Sequence, residues 1–74
     1  MKIKNIGRNT TEVEAKIGTI LISYITPVAV RMAKDGKYYR TEEKRSITTS
    51  KHIAKWLNGN KAAEKPQKFF DNLL

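Results

Sequence analysis

From Thr11 to Ile17 apolar and polar side chains alternate without a break: Thr11, Val13, Ala15 and Ile17 on one side, Glu12, Glu14 and Lys16 on the other. A period of two is the signature of a half-buried strand, and it makes the two glutamates its wet side. Gly18 then permits a tight reversal, because glycine takes positive φ without a steric penalty. Thr19 to Thr26, TILISYIT, is apolar on both sides and rich in β-branched and aromatic residues, as a central strand would be. Pro27 lacks an N–H and marks a bend, a bulge or an edge. Val28, Val30 and Met32 resume the alternation. Upstream, Lys2 to Ile6 is a short strand candidate ending at the Gly7-Arg8-Asn9 turn.

Asp35-Gly36, between Met32 and the Lys37–Thr41 segment, is a strong hairpin signal. A two-residue loop there sets Lys34 against Lys37, Met32 against Tyr39, Arg31 against Arg40 and Val30 against Thr41. Val30, Met32, Tyr39 and Thr41 then face the core, and Ala29, Arg31, Ala33, Tyr38, Arg40 and Glu42 share the outer face. Thr41 to Ile47 either extends the strand or holds a loop.

Farther on, the period changes to that of a helix. Thr48, Thr49 and Ser50 are candidate N-caps, with Ile53, Trp56 and Leu57 as the apolar stripe and Lys51, Lys55 and Asn58 opposite. Gly59 suits the position that ends this helix. After a polar connection, Pro66 suits the first turn of a second helix carrying Phe69, Phe70, Leu73 and Leu74. The expectation is a single α+β domain over residues 1–74. It consists of an antiparallel β-meander of four or five strands followed by two short C-terminal helices packed on the sheet.

Composition narrows the function classes. Seventy-four residues make one small core, and cores of this size supply only about 3–5 kcal/mol. With no cysteine there is no disulfide and no cysteine-based zinc site, so self-association is one route to added stability. No 18-residue apolar run is present, so no membrane span is expected, the N-terminal residues lack the apolar segment of a secretory signal, and the lack of cysteine fits a cytosolic protein. Fifteen Lys and Arg against seven Asp and Glu leave a net charge of +8. The excess is spread along the chain, with six bases and three acids in residues 1–35 and nine and four in residues 36–74. Such a field draws polyanions: nucleic acid, acidic lipid or an acidic protein surface.

Two groups of residues can use that charge. On the hairpin, Arg31 and Arg40 repel unless an anion or Glu42 neutralises them, and Tyr38 offers a stacking surface beside them. At the start of the first helix, the hydroxyl caps lie close to Lys44, Arg45 and Lys51, with Lys55 one turn on. Catalysis lacks a comparable basis. His52 is the single histidine and reads as a satisfied boundary residue without an evident serine partner; the glycines lie at turns and caps, with no phosphate-loop pattern. The residues therefore argue against an enzyme, and against any metal or cofactor.

Ser23-Tyr24, Thr26-Pro27-Val28-Ala29 and the run Ser46-Ile47-Thr48-Thr49-Ser50-Lys51-His52-Ile53 with Trp56-Leu57 resemble a small uncharacterised domain of bacteriophage and mobile-element proteins. In that domain an S-x-T-T-S-K/R-H stretch leads into a short helix. The resemblance covers residues 18–57, implies a phage or mobile-element origin in a bacterial cytoplasm, and carries no function. The expectation is a small accessory protein that binds nucleic acid through phosphates with little sequence preference. Arg31, Tyr38, Arg40, Lys44, Arg45, Lys51 and Lys55 would form its contact residues. The alternatives are an inhibitor or regulator docking on an acidic surface of a host protein, and a virion or assembly subunit.

Overall fold

A computed structural model describes residues 2–73. Six strands form one sheet in chain order: β1 (Lys2–Gly7), β2 (Thr10–Ala15), β3 (Gly18–Ser23), β4 (Thr26–Met32), β5 (Tyr38–Thr41) and β6 (Ala62–Lys65). Helix α1 (Ile47–Leu57) lies between β5 and β6 in the chain, and α2 (Gln67–Asp71) follows β6. The α+β meander with two C-terminal helices is thus present, with two additions. The Ala62–Lys65 segment, expected as a polar connection, is a sixth strand, and it pairs with β5 in parallel. Parallel neighbours need a crossover, and α1 is that crossover.

The helices cover opposite faces. Ile20, Val30, Met32, Val13 and Phe70 make one core cluster, while Leu21, Val28, Ala29, Ile53 and Leu57 make the other. Ile20 and Leu21 are consecutive on β3, so their side chains leave the sheet in opposite directions. That is why TILISYIT is apolar on both sides. Phe70, fully buried from α2, and Ile53, buried from α1, anchor the two layers. Each such side chain contributes about 1.5–3 kcal/mol on burial.

Three local expectations are corrected. TILISYIT is not one strand: β3 ends at Ser23, Tyr24-Ile25 forms the turn, and β4 starts at Thr26. Tyr24 adopts φ 58°, and its N–H donates to Asn9 O at 2.7 Å, which ties this turn to the β1–β2 turn. Gly18 is needed for close approach rather than for reversal. It lies in β3 with φ 152°, where a Cβ would come within 2.0 Å of Arg31 O. The β4–β5 loop is longer than Asp35-Gly36, since Met32 N–H donates to Lys37 O and Gly36 N–H to Met32 O, both at 2.8 Å. Arg31 therefore pairs with Tyr38, Val30 with Tyr39, and Arg40 with Ala29.

Pro27 sits at a bulge in the β3–β4 ladder, where the pairing jumps from Leu21–Ala29 to Ile22–Pro27. The skipped Val28 joins Ala29 on the α1 side. On the opposite side, the buried Gln67 amide donates to Pro27 O at 2.7 Å, fastening α2 at the same place.

The cap of α1 is Ser46, ahead of the expected Thr48–Ser50; its Oγ accepts from Thr49 N–H at 3.2 Å. The chain between β5 and Ser46 is therefore a loop. Asn58 and Gly59, both at positive φ, close the helix. Pro66 is the N-cap of α2 and lies just before its first turn. Leu73 is half-buried against the Phe70 cluster, whereas Leu74 lies outside the described residues.

Candidate nucleic-acid interface

The β1–β2 hairpin and α1 enclose a groove of about 530 Å³ on the α1 face of the sheet. Its position follows from the period-two pattern. Lys4 pairs with Glu12 and Glu12 with Leu21, so the three side chains share the face that Leu21 presents to α1. Lys4 and Arg8 line one wall, His52 and Lys55 the other, and Glu12 and Trp56 also line it. Beyond Arg8 and His52 the groove continues into a pocket of about 330 Å³ that adds Asn9, Tyr24 and Thr48.

Glu12 does not belong to a wet face as the alternation suggested. Trp56 Nε1–H donates to its Oε2 at 2.6 Å, across 44 residues of chain. The bond engages the one carboxylate lining the groove with a neutral donor. Lys4, Arg8 and Lys55 remain as cations, and none of them forms an ion pair among the described residues, where the only ion pair is Arg45 with Glu43 at 3.6 Å. Trp56, expected in the core, is half-buried: one edge packs against Tyr38, with centroids 5.5 Å apart at 75°, and part of it faces the groove.

His52 does have a serine partner. Its Nδ1 lies 2.8 Å from Ser23 Oγ, Ser23 Oγ lies 3.1 Å from Thr49 Oγ1, and Ser46 Oγ donates to Thr49 Oγ1 at 3.2 Å. Residues from the strand Gly18–Ser23 and from the start of α1 thus form one continuous hydroxyl chain ending on the imidazole. Ser23 is 2% exposed, so its Oγ is a link in this chain and does not present a nucleophile to solvent. Tyr24 is 51% exposed, with its ring centroid 5.9 Å from that of His52.

The seven residues expected at the interface divide. Lys55 lines the groove, and Lys51, exposed one turn earlier on the same side of α1, extends its charge. Lys44 is exposed in the loop before α1, and Arg45 there is half-buried and held beside Glu43. Arg31 is exposed, but it faces Thr19 and Tyr38 in the ladder and does not face Arg40. The forced arginine pair therefore does not exist, because the longer loop shifts the register by two. Arg40 is half-buried across from Ala29 and Glu64, with a buried Nε that has no hydrogen-bond partner among the described residues. Tyr38 is half-buried under Trp56 and does not offer a free stacking face.

Lys4, Arg8 and Tyr24 were not legible as site residues. Arg8 sits in a three-residue turn, Lys4 in a short strand, and Tyr24 in what reads as strand interior. A further depression of about 490 Å³ lies at the β5–β6 end between Lys37 and Lys61, away from α1's cations. No helix among the described residues is long and apolar enough to cross a membrane. Nor does any group of three or more His, Asp or Glu side chains among them have the arrangement of a metal site.

No curated protein and no solved structure matches this chain. A family model does, over residues 1–72, and the chain accordingly belongs to that family, the Family of unknown function DUF8033.

Proposed function

We propose that this protein binds single-stranded nucleic acid through its phosphates, with little sequence preference, as an accessory protein of a phage or mobile element in the bacterial cytoplasm. The observation that carries the reading is the groove itself. Lys4, Arg8 and Lys55 converge there beside Trp56, while the one acid among its lining residues, Glu12, is taken up by the indole N–H. A positive groove with exposed aromatic edges is how sequence-tolerant single-strand binding works: cations follow the backbone and bases stack on the rings. Helix α1 is poorly suited to reading a duplex. It spans eleven residues, about 16 Å, and its apolar side is committed to the sheet through Ile53 and Leu57.

Relative to the sequence-based expectation, the interface moves. Lys51 and Lys55 stay in it, Lys4 and Arg8 join, and Arg31, Tyr38, Arg40, Lys44 and Arg45 become peripheral. Trp56 is the only tryptophan, so its fluorescence reports directly on the groove. Titration with a homopolymeric oligonucleotide at about 50 mM salt should quench it, and raising the salt should reverse the quench. An unchanged Trp56 signal together with no change in anisotropy of a labelled strand would end the proposal.

A second reading, docking on an acidic partner protein, draws support from Ile25 and Ile47, which are 93% and 76% exposed. Exposed isoleucines on a chain of net charge +8 suit an acidic surface with an apolar pocket. A host protein that the wild type captures from lysate after nuclease treatment, and that Ile25→Ser fails to capture, favours this reading over the first.

A further inference from the structure

We infer that His52 is a phosphate-binding donor whose tautomer is set by the buried hydroxyl chain, so that Nε2–H points to a phosphodiester oxygen where the two parts of the groove meet. The inference deepens the nucleic-acid reading and rests on it.

The inferred direction uses each hydroxyl proton once, starting from the helix cap. Ser46 Oγ accepts from Thr49 N–H and gives its own proton to Thr49 Oγ1. Thr49 Oγ1, having accepted, has one proton left to give, and Ser23 Oγ lies 3.1 Å away. Ser23 Oγ in turn has one proton, and His52 Nδ1 is 2.8 Å away. Run in that direction, each hydroxyl gives its single proton to the next group, and Nδ1 is the acceptor at the end of the chain. Neutral imidazole with Nδ1 accepting must carry its proton on Nε2. Ser23 and Thr49 are buried, which shields the two inner links from exchange with solvent.

The geometry then says what Nε2–H can meet. The His52 ring lines both parts of the groove, and Nδ1 is the nitrogen held inward by Ser23. Nε2 is neither hydrogen-bonded nor buried among the described residues. Arg8 and Thr48 line the same pocket, and no carboxylate does. One guanidinium and one fixed N–H make a donor set for an anionic oxygen. Tyr24 stands over the same place, its backbone held at φ 58° by the bond to Asn9 O, and its ring can take the base attached to that phosphate. Ser46, Thr49 and Ser23 are then positioning residues, and His52 is the contact.

His52 is the single histidine, so ¹⁵N spectra of the imidazole are unambiguous on the unmodified protein. At about pH 8.5, where an ordinary imidazole is neutral, the spectrum should show Nε2 protonated and Nδ1 bare. Adding an oligothymidylate should shift Nε2 and its proton while Nδ1 stays in place. His52→Gln, which keeps a donor near the Nε2 position, should retain most of the affinity, whereas His52→Ala should lose about tenfold. Ser23→Ala should release the tautomer into a mixture and weaken binding by about threefold. If Nδ1 carries the proton, or Nε2 is indifferent to a strand that does quench Trp56, the inference is overturned and the groove reading stands. If Trp56 is also indifferent, both are overturned.

Discussion

Alanine variants of Arg8 and Lys55 separate a built groove from a diffuse positive field. Four cations lie in or beside the groove: Lys4, Arg8, Lys51 and Lys55. If each neutralises one phosphate, log K should fall with log salt at a slope of about −2.8, taking about 0.7 per contact for single strands. Between about 50 and 200 mM salt the wild type then loses affinity by about 50-fold. With Arg8 and Lys55 both replaced by alanine, two contacts remain, the slope halves to about −1.4, and the same change in salt costs only about sevenfold. The control is Lys68→Ala on α2, which lies against the opposite face of the sheet and carries the same unit charge. Oligonucleotide anisotropy at four or five salt concentrations measures each slope. Arg31→Ala and Arg40→Ala complete the set, and both should leave the slope near the wild-type value. If Lys68→Ala flattens the slope as much as Lys55→Ala, charge acts from everywhere and the groove has no special role.

Gly18→Ala should destabilise the fold by about 2–4 kcal/mol, because its Cβ would sit 2.0 Å from Arg31 O and force β3 and β4 apart; urea denaturation checks this, and a loss under about 1 kcal/mol contradicts the geometry. Tyr24→Asn should gain about 0.5–1 kcal/mol, since asparagine accepts positive φ more readily than tyrosine, while weakening oligonucleotide binding. Thermal melting read beside anisotropy would expose either half of that trade as mistaken. A double-mutant cycle on Glu12→Ala and Trp56→Phe should return a coupling of about 1 kcal/mol for the 2.6 Å bond between them. Near-zero coupling would mean that Glu12 is free to repel phosphates.

How much of this was readable in advance differs by residue. The alternation from Thr11 and the helical stripe Ile53, Trp56 and Leu57 located β2 and α1 to within a few residues. The grouping of side chains on β4 and β5 was also right although the register was not, but the face expected to be outer is covered by α1, where Ala29 is buried and Tyr38 half-buried. The error was a shift of two, and a period-two pattern is unchanged by a shift of two. Val30 and Met32 therefore still meet Tyr39 in the same core, while the Arg31–Arg40 pair disappears. The turn at Tyr24-Ile25 was invisible because neither residue is a usual turn former, and a bond from Tyr24 N–H to Asn9 O holds it.

Local periodicity by itself determined β2, α1 and the apolar stripe of α1, because those properties depend on neighbours one to four positions away. Tertiary structure alone decided what lies next to what across the chain. It placed β6 beside β5 and sent α1 and α2 to opposite faces. It turned Glu12 from a wet-face acid into the partner of Trp56, and it brought Ser23 to His52 across 29 residues. The same holds for the charge: fifteen bases are plain in the sequence, but which of them converge depends on the path of the hairpins. Coulomb interactions and hydrogen bonds act over a few ångströms in space, and separation along the chain does not set that distance.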